Sequence, residues 1–330
     1  MMKTVLIWFL LLLGCQGFAQ QAGTDGFKPS MKYGKPSQEE LVMTAYAPDT
    51  SATAVVLYSK CDVRYDLLAN NFRILYNYEV KIKVLKSEGA SYADIQIPYY
   101  SNERNSTLKE SVSQLDASAY NMEGGKMVRT KMKRDLVFTE RLTKQYMQLK
   151  FSIPAVREGT VFEYKYQLSS DLYYSINSWE AQRSIPVIFN QYDITIPEYF
   201  KFNLDMRGAH PMASKDEQTP LSFMLSLQGG QTETLTCTGR HMIFTGEHLP
   251  AMRPDSYVWC ADDYLSRASI SNCGEWTFRD RSTNLSPVPG RTSTKCCWKT
   301  KTSAHCSKCA ILIGTRWLRC HWTKPISILY

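Results

Sequence analysis

The chain has 330 residues, enough for one large or two ordinary domains with a full core. Aromatic residues make up 12%, mostly Tyr (20) and Phe (13), which favours β-structure over a helix bundle. The net charge of +8 suggests nucleic acid or an anionic membrane, but its placement excludes that reading for most of the chain. Residues 271–330 hold 10 Lys and Arg against 2 Asp and Glu, whereas residues 1–270 hold 29 of each sign. Six of the ten Cys and four of the seven Trp also fall in those last 60 residues, so two compositions meet near Ala268.

At the start, Lys3 precedes an apolar run over residues 5–13 that is too short to span a bilayer. Gly17 and Ala19 are small residues suitably placed for cleavage between Ala19 and Gln20. Residues 1–19 are thus expected to be a secretory signal peptide, and the protein to be exported: periplasmic, outer-membrane associated or secreted. An alternative rests on Leu12-Leu13-Gly14-Cys15, which has the form of a lipobox with Cys15 as the lipidated residue. Residues 20–36 carry Gly, Pro and Lys without periodicity, which predicts a flexible leader.

Ser37 and Glu40 form a capping box ahead of Leu41-Val42-Met43, predicting a helix of two or three turns. Residues 54–58 are a buried-strand candidate, and 63–65 continue it. Residues 72–85 alternate: Ile74, Tyr76, Tyr78, Val80, Ile82 and Val84 share one face, and Arg73, Asn77, Glu79, Lys81 and Lys83 share the other. That spacing predicts a long half-buried strand. Pro98 stops the run 95–100 or keeps it at an edge. Polar arms at 110–121 and 126–133 flank Glu123-Gly124-Gly125 and read as a hairpin. Residues 151–208 give a strand ending at Pro154, a Glu158-Gly159 turn and an alternating strand over 160–168. A connection bearing Trp179 then leads to extended runs at 185–187 and 192–196. A second hairpin, 221–227 with 233–238, crosses Gly229-Gly230, and 241–245 is a further strand. Amphipathic helices of the kind that join parallel strands are missing, so an α/β sheet is excluded. The expected fold is mainly β: an antiparallel β-sandwich-like module over residues 37–268 with a short N-terminal helix.

Candidate chemistry is sparse. Tyr173, Tyr174 and Trp179 form a potential aromatic platform for an extracellular glycan or peptide, with rim packing as the competing reading. His210, His241 and His248 stand near Asp255 and Asp262 in sequence but lack metal-ligand spacing, so satisfied or solvent-exposed histidines are expected and no metal or cofactor. No nucleophile–base arrangement is visible, which predicts a protein that is not an enzyme. Cys61, Cys237 and Cys260 leave at least one free thiol, with Cys61–Cys237 and Cys237–Cys260 both open as disulfides.

The tail offers Cys306-Ser307-Lys308-Cys309, the C-x₂-C of a zinc knuckle, beside a basic, Trp-bearing composition that suggests nucleic acid. A shifted reading frame explains more. Joining the last base of one codon to the first two of the next forces Leu at Asn272-Cys273, Asp at Trp276-Thr277, Leu at Cys296-Cys297 and Glu at Trp298-Lys299, whatever codons are used. Forced Leu, Asp and Glu restore the ordinary alternation of apolar and acidic residues of a folded segment. Residues 269–330 are therefore expected to be an aberrant tail without a native fold, and nucleic acid is not an expected partner.

Several short motifs then fall into one pattern. They are Glu39-Glu40-Leu41, Asp49 with Ala54-Val55-Val56-Leu57-Tyr58, Ile153-Pro154, Glu158-Gly159, Glu163-Tyr164, Trp179 with Gln182, Ile185-Pro186-Val187, Ile196-Pro197-Glu198-Tyr199, Pro250-Ala251-Met252 and Tyr264-Leu265. In this combination the chain resembles the domain of unknown function 3857 family of secreted Bacteroidetes proteins. The resemblance implies a β-module without known chemistry that precedes a transglutaminase-like domain, whose Cys-His-Asp site carries the catalysis. That domain is expected to be absent here. The expected function is thus a non-catalytic exported module whose partner, in intact relatives, is the C-terminal transglutaminase-like domain. The alternative is a glycan- or peptide-binding module using Tyr173, Tyr174 and Trp179.

Overall fold

The computed structural model describes residues 27–102, 108–227, 230–253, 264–272, 309–313 and 316–320. The expected signal peptide with Cys15, and Asp255, Cys260, Asp262 and Cys296-Cys297, lie outside the described residues. The elements in chain order are α1 (Gln38–Val42), β1 (Ala54–Leu68), β2 (Asn71–Val84), β3 (Asp94–Tyr100), β4 (Glu110–Glu123), β5 (Lys126–Lys131), β6 (Val137–Arg141) and β7 (Tyr146–Ser152). They continue with β8 (Val161–Ser170), β9 (Trp179–Glu180), β10 (Val187–Pro197), β11 (Phe202–Arg207), β12 (Ala213–Ser226), β13 (Thr232–Leu249), β14 (Arg267–Asn272), β15 (Cys309–Ile313) and β16 (Arg316–Cys320).

An eight-stranded sheet in the order β12-β13-β10-β1-β2-β8-β4-β5 is the main layer. Two three-stranded sheets, β3-β7-β6 and β11-β14-β9, contribute to the core on one of its faces. Ile97 and Phe151 from the first and Trp179, Ala268 and Ile270 from the second join Val63, Tyr76, Val80, Ile82, Phe162, Tyr192, Ile194 and Phe244 of the main sheet. Each fully buried side chain of that size contributes about 1.5–3 kcal/mol. The chain is therefore mainly β and sandwich-like, with the short helix near the N-terminus.

The alternation of β2 is as the spacing predicts, and β1 pairs with it antiparallel from Ala54↔Val84 to Leu68↔Asn71. A two-residue turn joins them, with Ala69 (φ 47°) and Asn70 (φ 62°) both left-handed. That geometry matches the right-handed twist of the flanking strands, and Asn tolerates it well. A bulge between Val56 and Tyr58 shifts the pleat, so Val56 and Cys61 share the core face despite unequal parity. The Gly124-Gly125 hairpin forms as predicted, both glycines having positive φ, and Pro98 sits on β3, an edge strand.

Some expectations are corrected. Val187 and the run 192–196 fall in one strand, β10, while Ile185 and Pro186 precede it; β10 pairs parallel with β1 rather than antiparallel, from Val56↔Val187 to Arg64↔Thr195. The reason is topological. β8 already runs parallel to β1, because each is antiparallel to β2. Reaching β10 in the same direction needs a long crossover, and residues 171–186 supply it. The helix is only five residues long, because a single apolar side chain, Leu41, anchors it. The module does not end at residue 268: β14 runs to Asn272, pairs with β11, and buries Ile270. β15 and β16 pair as an antiparallel hairpin. The leader is not flexible throughout, since residues 27–36 dock on the second face of the main sheet. There Leu41, Tyr46 and Ala52 cover Val55, Leu57, Tyr120, Val161 and Ile188.

Candidate functional site

Two groups of polar side chains lie on the face of the main sheet opposite the two small sheets. The first is buried beneath residues 27–46, which cross this face as a strap. Lys81 and Lys83 project here from β2, Glu163 from β8, Tyr120 from β4 and Tyr58 from β1, and all are fully buried. Sequence alternation placed both lysines on the polar face of a half-buried strand; the strap covers that end of the face. Glu40 performs two tasks at once. Its carboxylate accepts from the Ser37 backbone N–H at 2.7 Å, closing the capping box, and from the Ser30 N–H at 2.7 Å. The Lys81 ammonium donates to the Ser30 carbonyl at 2.8 Å and lies 3.4 Å from Glu40. Lys83 donates to the carbonyls of Leu41 and Gly159, both at 2.7 Å. Burial lowers its pKa to about 8, against the attraction of Glu40.

Glu163 holds the other end of the strap. Its Oε1 accepts from the Gly34 N–H and from the Tyr120 hydroxyl, both at 2.6 Å. Burial pushes its pKa up, and those hydrogen bonds and the charge of Lys81 offset only part of that rise. Glu163 Oε2 and the Tyr58 hydroxyl are enclosed without a hydrogen-bond partner. Tyr33 completes the cover, donating to the backbone and carboxylate oxygens of Asp116 and lying against Lys165.

The second group lies beyond the strap. Asp62 of β1 and Asp193 of β10 are cross-strand partners, so two carboxylates stand side by side. Arg64 pairs with Asp62 at 2.6 Å, leaving Asp62 Oδ1 enclosed without a partner. His241 of β13 contacts Asp193 through Nε2 at 2.8 Å and Glu217 of β12 through Nδ1 at 3.1 Å. Burial opposes its charge, but the two carboxylates outweigh that and raise its pKa above the ordinary histidine value. A depression of about 540 Å³ opens between this row and Leu221, Phe223 and Met224 of the β12–β13 hairpin. With carboxylates on both ring nitrogens, His241 bridges three strands. Neither nitrogen is left to take a proton from a nucleophile.

The proposed aromatic platform does not assemble as three exposed rings. Trp179 is buried, stacked on Tyr192 at 5.5 Å, and donates its indole N–H to Asn190 at 2.7 Å. Tyr173 and Tyr174 meet edge to face at 5.6 Å, and Tyr173 packs on Phe200. The loop carrying them is tied down by core tyrosines: Tyr65 donates to the Tyr173 carbonyl and Tyr192 to the Asn177 carbonyl. His248 contacts the Tyr46 hydroxyl through Nδ1 at 3.2 Å. Cys61 and Cys237 are both free thiols: Cys61 lies in the core and burial raises its pKa. Among the described residues no group of three or more His, Cys, Asp or Glu is placed to hold a metal ion.

Comparison with known proteins sets this geometry in a family. The model of the Domain of Unknown Function family DUF3857 matches residues 70–234, half of the chain. The chain belongs to the DUF3857 family. The matched DUF3857 region contains Lys81, Lys83, Tyr120, Glu163 and Asp193, whereas Glu40, Tyr58, Asp62 and His241 lie outside it. No curated protein matches the chain. Among solved structures, a protein from Parabacteroides distasonis ATCC 8503 described as a candidate protease is similar at 13% identity, with a TM-score of 0.49. The match covers 67% of this chain and 40% of that one, so the chain spans less than half of that protein's length.

Proposed function

We propose that this DUF3857 chain is an exported, non-catalytic β-module that in intact relatives accompanies and positions a transglutaminase-like domain. The observation that carries the reading is where the charged groups are committed. Glu40, Lys81, Lys83 and Glu163 bind backbone or side-chain atoms of their own fold, and His241 is clamped between two carboxylates. Groups engaged in this way build a rigid body rather than a reaction site. Export rests on the Lys3 and 5–13 pattern with Ala19-Gln20, or on Cys15 if the chain is lipidated. The same reading places residues 273–330 outside the module and in a shifted frame, which sequencing of the gene around the codons for 264–272 tests directly.

The functional test is an assay of the purified chain for peptidase and transamidase activity on casein and on a glutamine-donor peptide. No turnover is expected. Turnover that disappears in His241→Ala while the fold is retained overturns the non-catalytic reading. Cell fractionation with mass spectrometry of the mature N-terminus tests export: a cytoplasmic chain that retains Met1 refutes it.

A further inference from the structure

The side of the sandwich opposite the β12–β13 hairpin has a surface that neither the fold nor the proposed role uses. β5 is the last strand of the main sheet and β6 the last strand of a small sheet. Only residues 132–136 join them, so the free edges of both layers open on the same side. β5 is exposed along nearly its whole length. Met127 is 47% exposed and Phe138 65%, and Val128, Leu136 and Leu142 are also uncovered. Large apolar side chains grouped on one side of a module mark an interaction surface more often than scattered ones do.

Charge identifies what fits there. Residues 126–144 contain seven Lys and Arg and two Asp and Glu, in a chain whose first 270 residues are balanced. Asp116 takes up Lys131 at 2.9 Å and Arg129 at 4.0 Å. Lys126, Lys133 and Arg134 are exposed and have no carboxylate partner among the described residues. Cations along a free edge repel a second copy of the same edge, so self-association is the occupant this surface selects against. A membrane supplies negative charge but no row of backbone donors and acceptors for the open side of β5. An extended acidic polypeptide supplies both.

We propose that the outer edge of β5, flanked by Leu136 and Phe138, is a docking site for an extended acidic segment of a partner protein, bound by strand addition. Backbone hydrogen bonds along β5 provide the register. Lys126, Lys133 and Arg134 select the charge, and Met127, Val128 and Phe138 cover the partner's apolar side chains. This site rests neither on export nor on an accompanying domain.

The test uses the full chain and a labelled peptide of about ten residues alternating Val and Glu, the length of an ordinary strand. Fluorescence anisotropy should show binding that weakens with salt. Hydrogen exchange should show new protection confined to the amides of 126–131. The triple variant Lys126→Glu, Lys133→Glu, Arg134→Glu should weaken binding about tenfold or more, three exposed ion pairs being lost. A control triple with the same charge change elsewhere, Lys28→Glu, Lys32→Glu, Lys201→Glu, should leave most of the affinity. Lys→Gln and Arg→Gln versions of the first triple serve if charge reversal harms the fold. Equal losses in both triples, absent protection on β5, or no binding overturn the site. Equal or tighter binding to vesicles of phosphatidylcholine with about one third phosphatidylglycerol, lost in the same triple, assigns the surface to membrane and overturns the peptide assignment.

Discussion

Replacing Glu40 with Ala is the most informative single change in the strap. It deletes the acceptor for the Ser30 and Ser37 N–H groups and the carboxylate that pairs with Lys81, whose ammonium then keeps the Ser30 carbonyl and the face of the Tyr58 ring. Breaking a buried ion pair by removing one partner costs about 3–5 kcal/mol, because the remaining charge stays enclosed. Loss of the capping box accounts for about 1 kcal/mol of that. The strap can escape the penalty by undocking, so the cost to global stability is capped by its docking energy. Two readouts are therefore needed. Urea denaturation should show a loss of several kcal/mol or, if the strap detaches first, hydrogen exchange should show residues 27–46 open while β1 and β2 remain protected. The double variant Glu40→Gln, Lys81→Met removes both charges and should recover at least about 1.5 kcal/mol relative to the sum of the singles. A Glu40→Ala loss under about 1 kcal/mol with unchanged strap protection, or strict additivity in the double variant, refutes the argument that these charges pin the strap.

Three further outcomes follow from the same geometry. Lys83 has a folded pKa of about 8, below its unfolded value, so the unfolded chain binds more protons above that point. Its charge is a burden at neutral pH that is relieved as pH rises from about 8 toward about 10.4, and Lys83→Met should flatten that rise in a series of melting temperatures. His241 has the opposite sign: its raised pKa gives stability that is full below about 6.5 and is lost as pH climbs through the folded value. The melting-temperature gap between the parent chain and His241→Gln should accordingly be wider at acid than at alkaline pH, and a gap independent of pH contradicts the upward shift that Asp193 and Glu217 give His241. Trp179→Ala should cost about 3–5 kcal/mol, and Trp179→Phe about 1–3 kcal/mol because Asn190 loses its indole donor. A Trp179→Ala chain with parental stability in chemical denaturation contradicts the core placement.

Much of the fold was legible because strand periodicity is local. The alternation of β2, the glycine turn between β4 and β5, and the edge position of Pro98 each follow from a few adjacent residues. The β1–β2 turn was not legible, because Ala69-Asn70 lacks the usual Asn-Gly signature; the left-handed Ala69 is held by the long ladder on either side and by Asn70, which exchanges two hydrogen bonds with Ser226. The parallel β1–β10 pair was hidden for a different reason. Nothing in a strand's own sequence states the direction of its neighbour, and the crossover that sets it lacks a helix. The candidate sites were the least readable. Lys81 and Lys83 carry the pattern of a solvated face, and only the docking of a segment some forty residues earlier turns them into buried anchors. A signal did exist: Glu40 stands in the capping box of a helix too short to be stable alone, which implies that something else holds it.

β14 ties together the C-terminal end of the described sheets. Residues 271–330 hold ten Lys and Arg against two Asp and Glu, but over 271–281 the signs are equal, Glu275 and Asp280 against Arg279 and Arg281. Ala268 and Ile270 are core residues, Ser271 is exposed, and the ladder of β14 with β11 closes at Asn272↔Phe202. β14 is also held from its other side by β9, through Ala268↔Trp179 and Arg267↔Glu180, so it is the central strand of its sheet. Gly208 is needed for that closure, since a Cβ there would sit 2.3 Å from the Ser266 backbone. Removing residues 267–272 would leave β9 and β11 without a common partner and uncover Trp179. The strand therefore belongs to the β-module, and the tail's distinct composition begins only after this central strand is in place.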